Sequence, residues 1–246
     1  MKSANQAGAL EGECGGYFVT ADDFPRRAYL KPVKKLEDHA ERAVAAREKI
    51  ASDLAFDLSL PVPPALLTAQ PGAPPLPGGA VVSLVMYPVQ WAWEHVRWKT
   101  PDDHVVQAAL ERVFAESAAG MLVFDTWLGQ LDHDDHPHNI VWGYDPKDLA
   151  DTRLVYLDFA RSLGCLDCWE EGKWQEVVRA PFPHRLTETL NDARLADAIS
   201  KVGALSEESI QKIVMRVPDD YLDSGRKSVV VEGLLGRRRQ LEATLL

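Results

Sequence analysis

Cysteine and long apolar runs are scarce in this sequence, and positive charge is in the minority. Three cysteines, an odd number, occur in 246 residues, which makes a disulfide framework a poor expectation. No stretch approaches the roughly 20 apolar residues of a membrane-spanning helix, so we expect no membrane association. Lys and Arg number 27 against 37 Asp and Glu, a formal net charge of −10. Because broad nucleic-acid binding requires a basic face, we expect no nucleic-acid partner.

Other familiar signals are also weak or missing. Residues 1–6 contain no apolar signal core, which together with the few cysteines predicts a cytoplasmic location. The glycine-rich stretch at residues 8–16 lacks strict GxGxxG spacing, so it is a weak indication of a phosphate-binding loop. The pair Cys165 and Cys168 is a lone CxxC, which predicts two reduced thiols rather than a zinc or redox site.

The first third of the sequence predicts strands around one long helix. Residues 26–32 read as a short strand that contains Lys31. Residues 36–58 form an Ala-rich pattern without Pro or Gly, which predicts a helix containing Glu48. Residues 80–87 are rich in β-branched side chains and predict a buried strand, which Pro88 ends.

The remainder predicts helices around one hairpin. A helix from about Pro101 to Ala118, and a second, strongly apolar one from about Met121 to Gly129, precede the hairpin. Strands at 140–142 and 154–157, joined through a turn, form the hairpin itself. Three more helices are predicted over residues 186–201, 206–215 and 226–245, and the arginines 237–239 of the last are expected to be solvated.

The most unusual stretch lies between the apolar helix and the hairpin, at residues 131–141. It holds three carboxylates, three imidazoles and one Asn, namely Asp132, His133, Asp134, Asp135, His136, His138 and Asn139. Such groups destabilise one another when crowded unless a cation or a substrate needs them. A second carboxylate site, Asp158, ends the apolar run of residues 154–157, and the hairpin brings Asn139 and Asp158 together.

This set of groups suits phosphoryl transfer. Asp134 and Asn139 stand five residues apart, and Asp158 closes the next strand. One carboxylate orients the attacking hydroxyl and accepts its proton, while an Asn oxygen and a second carboxylate hold Mg²⁺ on the phosphates. A lysine and a helical glutamate complete such a site, which gives Lys31 and Glu48 a shared purpose.

The motifs around these residues resemble those of the small HipA-family kinases. Residues 124–130 (FDTWLGQ) followed by residues 134–139 (DDHPHN) are similar to the family phrase FDxWxGNxDRHPxN, which precedes an apolar strand ending in Asp. Residues 28–31 and 47–52 resemble the family's lysine strand and glutamate helix. The resemblance covers most of the chain, although only the loop and strand motifs are specific.

The resemblance implies a role for each residue. Asp134 would be the catalytic base, and Asn139 and Asp158 the Mg²⁺ ligands. Lys31 would contact the ATP phosphates and pair with Glu48. The backbone at Met86 and Tyr87, where a two-lobed kinase has its interlobe hinge, would meet adenine.

The sequence departs from the family in ways that leave alternatives open. Gln130 stands at the usual Asn position and Asp135 at the usual Arg position, and two extra residues follow Gly129. Asp132 is therefore an alternative base. The loop also resembles the HGDxHPxN motif of the aminoglycoside-phosphotransferase and choline-kinase-like families, which phosphorylate small-molecule hydroxyls. A degenerate pseudokinase that binds nucleotide without transfer, and a metallohydrolase that uses the imidazoles, are the remaining alternatives.

We therefore expect an α+β, two-lobed, protein-kinase-like fold with a small β-rich N-lobe and a larger, mostly helical C-lobe. The N-lobe would span residues 1–88 and the C-lobe residues 89–246. ATP and Mg²⁺ would bind between them, with a protein Ser or Thr as the preferred acceptor and a small-molecule hydroxyl as the alternative. The HipA resemblance also makes an antitoxin-like protein partner an expectation.

Overall fold

The computed structural model describes residues 7–9, 16–21, 24–33, 39–68, 79–92, 104–164, 174 and 176–246. The described chain begins with an antiparallel sheet whose strands lie in the order β1-β2-β3-β5-β4. These strands are β1 (Ala7–Ala9), β2 (Tyr17–Ala21), β3 (Phe24–Pro32), β4 (Ala65–Leu67) and β5 (Ala80–Leu84). Strand β3 is central, and its register with β5 places Lys31 opposite Val81.

Helix α1 (His39–Asp57) packs against β4 and β5 of this sheet. Its fully buried side chains are mostly small, and they include Ala43, Ala46, Ile50, Ala51 and Leu54. Alanine adds little bulk, so the helix lies close to the sheet and covers the polar side chain of Glu48, which is buried as well. The sequence had suggested a solvated carboxylate there when Glu48 was considered alone.

The second half of the chain combines a three-stranded antiparallel sheet, in the order β6-β7-β8, with helices. The strands are β6 (Val89–Ala92), β7 (Ile140–Asp145) and β8 (Asp148–Tyr156), with a 3-10 turn at Pro137–Asn139 before β7. The helices are α2 (His104–Leu128), α3 (His184–Thr187), α4 (Asp192–Ala204), α5 (Glu207–Met215), α6 (Ser224–Arg238) and α7 (Leu241–Leu245).

Helix α2 is one continuous helix, so the predicted break between Ala118 and Met121 is wrong. Gly120 lies at the predicted break, and glycine lowers helix stability by about 1 kcal/mol relative to Ala. In the structure a Cβ at Gly120 would lie 2.9 Å from Leu60 Cδ2, so the glycine makes room for this leucine side chain. Burial of α2 in the core outweighs the local cost of the glycine.

Three other sequence predictions need adjustment. Strand β5 ends at Leu84, before the predicted limit of residue 87, and β6 begins a second sheet that the sequence pattern did not reveal. The predicted helix over 226–245 is two helices, α6 and α7.

Residues 10–15 of the glycine-rich stretch and the pair Cys165 and Cys168 lie outside the described residues. No helix within the described ranges is long and apolar enough to span a membrane.

Tyr221 joins the C-terminal helical region to the edge of the first sheet. It is buried, and its hydroxyl donates to the carbonyl of Thr68 at 3.1 Å and accepts from the amide of Ala80 at 3.2 Å. Gly79 has a φ of +77°, and a Cβ there would lie 2.1 Å from the hydroxyl. The absence of a Cβ at Gly79 thus leaves room for the Tyr221 hydroxyl. Through its hydrogen bonds, this hydroxyl connects the ends of strands β4 and β5 to the segment before α6.

Substitution of Tyr221 by Phe is expected to lower the free energy of unfolding by about 1–2 kcal/mol, because a buried hydrogen-bonded hydroxyl is lost. Urea titration of the two proteins measures the difference. Tyr144→Phe is the matched control, since the hydroxyl of Tyr144 makes no hydrogen bond to any described residue. Equal stability of Tyr221→Phe and the wild type would contradict the assigned tether.

Candidate active site

Three charged side chains from different elements meet between the two sheets. Lys31 Nζ lies 2.6 Å from Glu48 Oε1 and 2.9 Å from Asp158 Oδ1. Lys31 comes from the end of β3, Glu48 from the middle of α1, and Asp158 from the second position after β8. The structure therefore brings together the three residues that the sequence predicted as lysine, glutamate and strand-end aspartate of one site.

The charges of this cluster determine one another's protonation. Burial alone would lower the pKa of Lys31, but Glu48 and Asp158 outweigh it and raise that pKa. Burial raises the pKa of Glu48, which Lys31 only partly offsets. For Asp158, burial works toward a higher pKa, yet the ammonium of Lys31 outweighs it and holds the pKa below its usual range. Lys31 and Asp158 are accordingly charged at neutral pH.

The backbone at Asp158 is held in an unusual conformation. Its φ is +60°, a left-handed value that is costly for a residue with a side chain and that needs support from its surroundings. Gln130 Nε2 donates to the carbonyl of Asp158 at 2.7 Å, and the amide of Ala160 donates to Oδ1 at 3.3 Å. Gln130, one of the departures from the family motif, thus supplies an amide that holds the main chain at Asp158.

The main chain of Asn139 is hydrogen-bonded to the residue before Asp158. It ends the 3-10 turn, and its carbonyl accepts from the amide of Leu157, the neighbour of Asp158, at 2.7 Å. The side chain of Asn139 is 8% exposed and makes no hydrogen bond to any residue in the described ranges. The hairpin therefore brings Asn139 and Asp158 together as predicted, with the amide available to a ligand.

The two candidate bases have different surroundings. Asp132 is 7% exposed, with His136 Nδ1 only 2.6 Å from its Oδ1, though not aligned as a hydrogen bond, and Arg161 Nη1 at 3.5 Å. Asp134 is exposed and forms no ion pair or hydrogen bond with the described part of the chain. Asp135, next to it, is exposed as well. The carboxylate of Asp132 is engaged, whereas that of Asp134 is open to an incoming group.

His133 is the imidazole that packs against Phe159, the residue after Asp158. The ring of His133 is fully buried, with its centroid 5.3 Å from that of Phe159. Its Nε2 donates to the carbonyl of Leu157 at 3.0 Å, and its Nδ1 lies 2.7 Å from Asp125 Oδ2. His136 instead contacts Asp132, because the loop turns its ring outward.

The Asp125–His133 pair retains a proton. Both ring nitrogens face acceptors, so one proton must lie on Nε2 and another between Nδ1 and the carboxylate. Burial would lower the pKa of His133, but Asp125 outweighs it and raises that pKa, while burial raises the pKa of Asp125. The sequence offered one signal for this pair: Asp125 stands alone among apolar residues of α2, and a buried carboxylate requires a partner.

The predicted hinge residues lie between β5 and β6. The ring of Tyr87 is buried against Val141 and Val155, with Met86 packed at the edge of this small cluster. The hydroxyl of Tyr87 donates to Asp151 Oδ1 at 3.0 Å. Burial, together with this carboxylate, raises the pKa of Tyr87 to about 12. Because the Tyr87 side chain is committed to packing, a ligand at this point would meet main-chain atoms.

The oxygen donors present fit a small divalent cation better than the imidazoles fit a metallohydrolase centre. The Asn139 amide and the Asp158 carboxylate are hard oxygen donors of the kind that Mg²⁺ prefers, with phosphate and water completing its shell. Among the described residues, no group of three or more His, Cys, Asp or Glu is placed to hold a metal ion. The Asn139 amide and the Asp158 carboxylate are therefore the groups that could hold a divalent cation here.

A pocket of about 950 Å³ lies away from this cluster, between the end of α1, helix α2 and helix α4. Charged side chains on its rim pair with each other on exposed helix surfaces, with Arg112 Nη1 3.5 Å from Glu116 Oε1 and Lys201 Nζ 2.7 Å from Asp197 Oδ2. Exposed pairs of this kind contribute little to stability. The perturbed charges lie at Lys31, Glu48 and Asp158, and we place the candidate site there.

The buried Asp125–His133 pair predicts a pH-dependent stability. A folded-state pKa of His133 above its unfolded value of 6.5 gives a contribution that is complete below pH 6.5 and is lost as pH rises through the folded pKa. Above pH 6.5 the free energy of unfolding should therefore fall by up to about 1.4 kcal/mol per pH unit from this proton. Urea titrations between pH 6 and 9 measure the slope, and a double variant Asp125→Asn, His133→Gln should lack it. An equal slope in that variant would contradict the assignment.

Comparison with known proteins bears on the fold. No family model and no curated protein matches the chain. Among solved structures it is similar to the Helicobacter pylori proinflammatory kinase CtkA, with a TM-score of 0.65 and 13% identity over 98% of this chain and 94% of that one. WaaP in complex with acyl carrier protein is a more distant match, with a TM-score of 0.39, 15% identity, and coverage of 98% and 90%. The predicted α+β, two-lobed, protein-kinase-like fold is confirmed.

Proposed function

We propose that the protein is an ATP- and Mg²⁺-dependent phosphotransferase of the HipA-like type, which transfers the γ-phosphoryl group to a hydroxyl. The observation that carries this proposal is the position of Lys31, within 2.9 Å of both Glu48 and Asp158. A charged lysine oriented by a buried glutamate, next to a carboxylate of lowered pKa, matches what a triphosphate with a divalent cation requires.

In this proposal the nucleotide lies between an N-lobe of residues 1–88 and a C-lobe of residues 89–246. Main-chain atoms at Met86 and Tyr87 face the adenine, and the ammonium of Lys31 contacts the phosphates. Glu48 keeps Lys31 in place, since the ion pair restricts the long lysine side chain to one orientation. When phosphate binds, Lys31 exchanges its contact with Asp158 for a contact with phosphate oxygen.

Asn139 and Asp158 hold the Mg²⁺ that accompanies ATP. When bound, this ion supplies positive charge against the charge that develops on the phosphate oxygens. The residues themselves supply position. Gln130 fixes the Asp158 backbone, and the bond between the Asn139 carbonyl and the Leu157 amide keeps the two donors beside each other. Such rigid placement is the main contribution that a protein makes to phosphoryl transfer.

Asp134 is the proposed base. It accepts the proton of the acceptor hydroxyl as the hydroxyl oxygen bonds to the γ-phosphorus, while the bond from that phosphorus to the β,γ-bridging oxygen breaks and ADP leaves. The exposure of Asp134 and its lack of a partner among the described residues support this role. The contacts of Asp132 with His136 and Arg161 support a scaffold role for Asp132.

We favour a protein Ser or Thr as acceptor over a small-molecule hydroxyl. Leu131, at the start of the catalytic loop, is 56% exposed, and Val178 in the segment after Asp158 is 61% exposed. Exposed apolar side chains on these two segments suit an extended chain better than an enclosed small molecule. A small-molecule kinase of the aminoglycoside-phosphotransferase type would use the same base and metal donors.

Asp134→Asn is expected to lower the turnover of ATP by roughly 10²–10⁴-fold, because the base is lost while the nucleotide site is intact. Loss of the γ-phosphoryl group from radiolabelled ATP, to water or to protein, measures turnover, and calorimetry measures binding of ATP with Mg²⁺. Asp135→Asn is the matched control, since this exposed neighbour has no assigned role.

Two outcomes would overturn parts of the proposal. Near wild-type turnover in Asp134→Asn, with collapse in Asp132→Asn, would give the base role to Asp132. A wild-type protein that binds ATP without any loss of its γ-phosphoryl group would be a nucleotide-binding pseudokinase.

A further inference from the structure

Arg237 is buried, although the sequence suggested that the arginines at the end of α6 are solvated. It is 4% exposed, and its guanidinium donates at 2.8 Å to four main-chain carbonyls: those of Thr126, Trp127, Trp174 and Glu176. A buried cation is costly unless its donors are satisfied. Because the N–H groups of this arginine donate to main-chain carbonyls of separate segments, the side chain joins those segments.

Two of these carbonyls belong to the last turn of α2. The final carbonyls of a helix have no partner within the helix and carry the negative end of its dipole, so a cation is favoured there. Arg237 thus caps α2, and the loop that contains Asp134 starts from this end of the helix.

The other two carbonyls belong to residues 174 and 176, in the chain that follows Asp158 and Phe159. The ring of Trp174 lies under the guanidinium, with the Arg237 Cζ 4.5 Å from the ring centroid. A Cβ at Gly233 would lie 1.6 Å from Trp174 Nε1, so glycine at this position of α6 makes space for the indole. The amide of Ala180 donates to Thr126 Oγ1 at 3.1 Å and fixes the far end of the segment.

We infer that Arg237 is a positioning residue of the phosphotransferase site, which holds Trp174 and residues 176–180 on the end of α2 and so fixes the origin of the catalytic loop. The inference rests on the proposed function. Lysine cannot replace it, because a single ammonium lacks the planar array of N–H groups that reaches four carbonyls on two segments. Val178 is exposed between the two fixed points, the carbonyl of Glu176 and the amide of Ala180.

The test compares Arg237→Gln and Arg237→Lys with two controls. Arg239→Gln removes an exposed arginine near the same end of α6. Val230→Ala destabilises the buried face of α6 and leaves the contacts between Arg237 and α2 in place. Turnover of ATP is measured as loss of its γ-phosphoryl group to any acceptor, at temperatures well below each melting temperature. Hydrogen exchange of peptides covering residues 129–139 and 176–180 is measured in parallel.

Both Arg237 variants are expected to lose roughly tenfold or more in kcat, since a displacement of about 1 Å can cost 10²-fold, with the KM for ATP within about twofold of wild type. Exchange in both peptides should rise, while the peptide around Glu48 keeps its protection. Arg239→Gln and Val230→Ala should keep wild-type kcat.

Wild-type kcat in Arg237→Gln, or an equal loss in Val230→Ala, would overturn the inference. If the wild-type protein itself shows no loss of γ-phosphoryl from ATP, the proposed function fails, and the exchange data alone decide the positioning role. Unchanged protection of residues 129–139 in Arg237→Gln would then overturn it, and faster exchange there would support it.

Discussion

The contact of one ammonium with two carboxylates is the interaction on which this structure depends. Lys31 Nζ lies 2.6 Å from Glu48 Oε1 and 2.9 Å from Asp158 Oδ1, and the side chains of Lys31, Glu48 and Asp158 are 14%, 7% and 31% exposed. The ammonium of Lys31 and the carboxylate of Asp158 stabilise each other in the charged state, which burial of either one alone would disfavour. The cluster forms only when the first sheet, helix α1 and the hairpin hold these three side chains within contact distance. It therefore links the relative position of the two lobes to the charge state of the site.

The C-terminal end of α2 supports the other side of this site. Asp125 pairs with His133, Thr126 and Trp127 accept from Arg237, and Gln130 donates to the backbone of Asp158. Each contact connects the helix end to a segment that contributes to the proposed chemistry. A rigid helix end thus serves as the common reference for the loop with Asp134, for the Asp158 turn and for residues 176–180. This arrangement explains why polar groups that take no part in bond making are buried here.

Much of the fold and the candidate site could be predicted from the sequence, because those features are encoded locally. The five-residue step from Asp134 to Asn139, the hairpin that ends at Asp158, and the helix around Glu48 are patterns within short windows. The partner of Asp125 and the burial of Arg237 depend on contacts across many residues, and local patterns do not reveal them. Gly120 is a further example, because its packing against Leu60 is a contact that the local sequence does not reveal. Local sequence suggests a helix break at this glycine, whereas α2 continues through it.

The central claim is that Lys31, Asn139 and Asp158 form the binding site for the phosphates of ATP with Mg²⁺. A crystal structure with a non-hydrolysable ATP analogue and Mg²⁺ tests it most directly. The account predicts the triphosphate against Lys31, the metal between Asn139 and Asp158, and the γ-phosphate nearest to Asp134. An analogue bound elsewhere, for example in the pocket between α1, α2 and α4, with the Lys31–Asp158 contact unchanged, would contradict it.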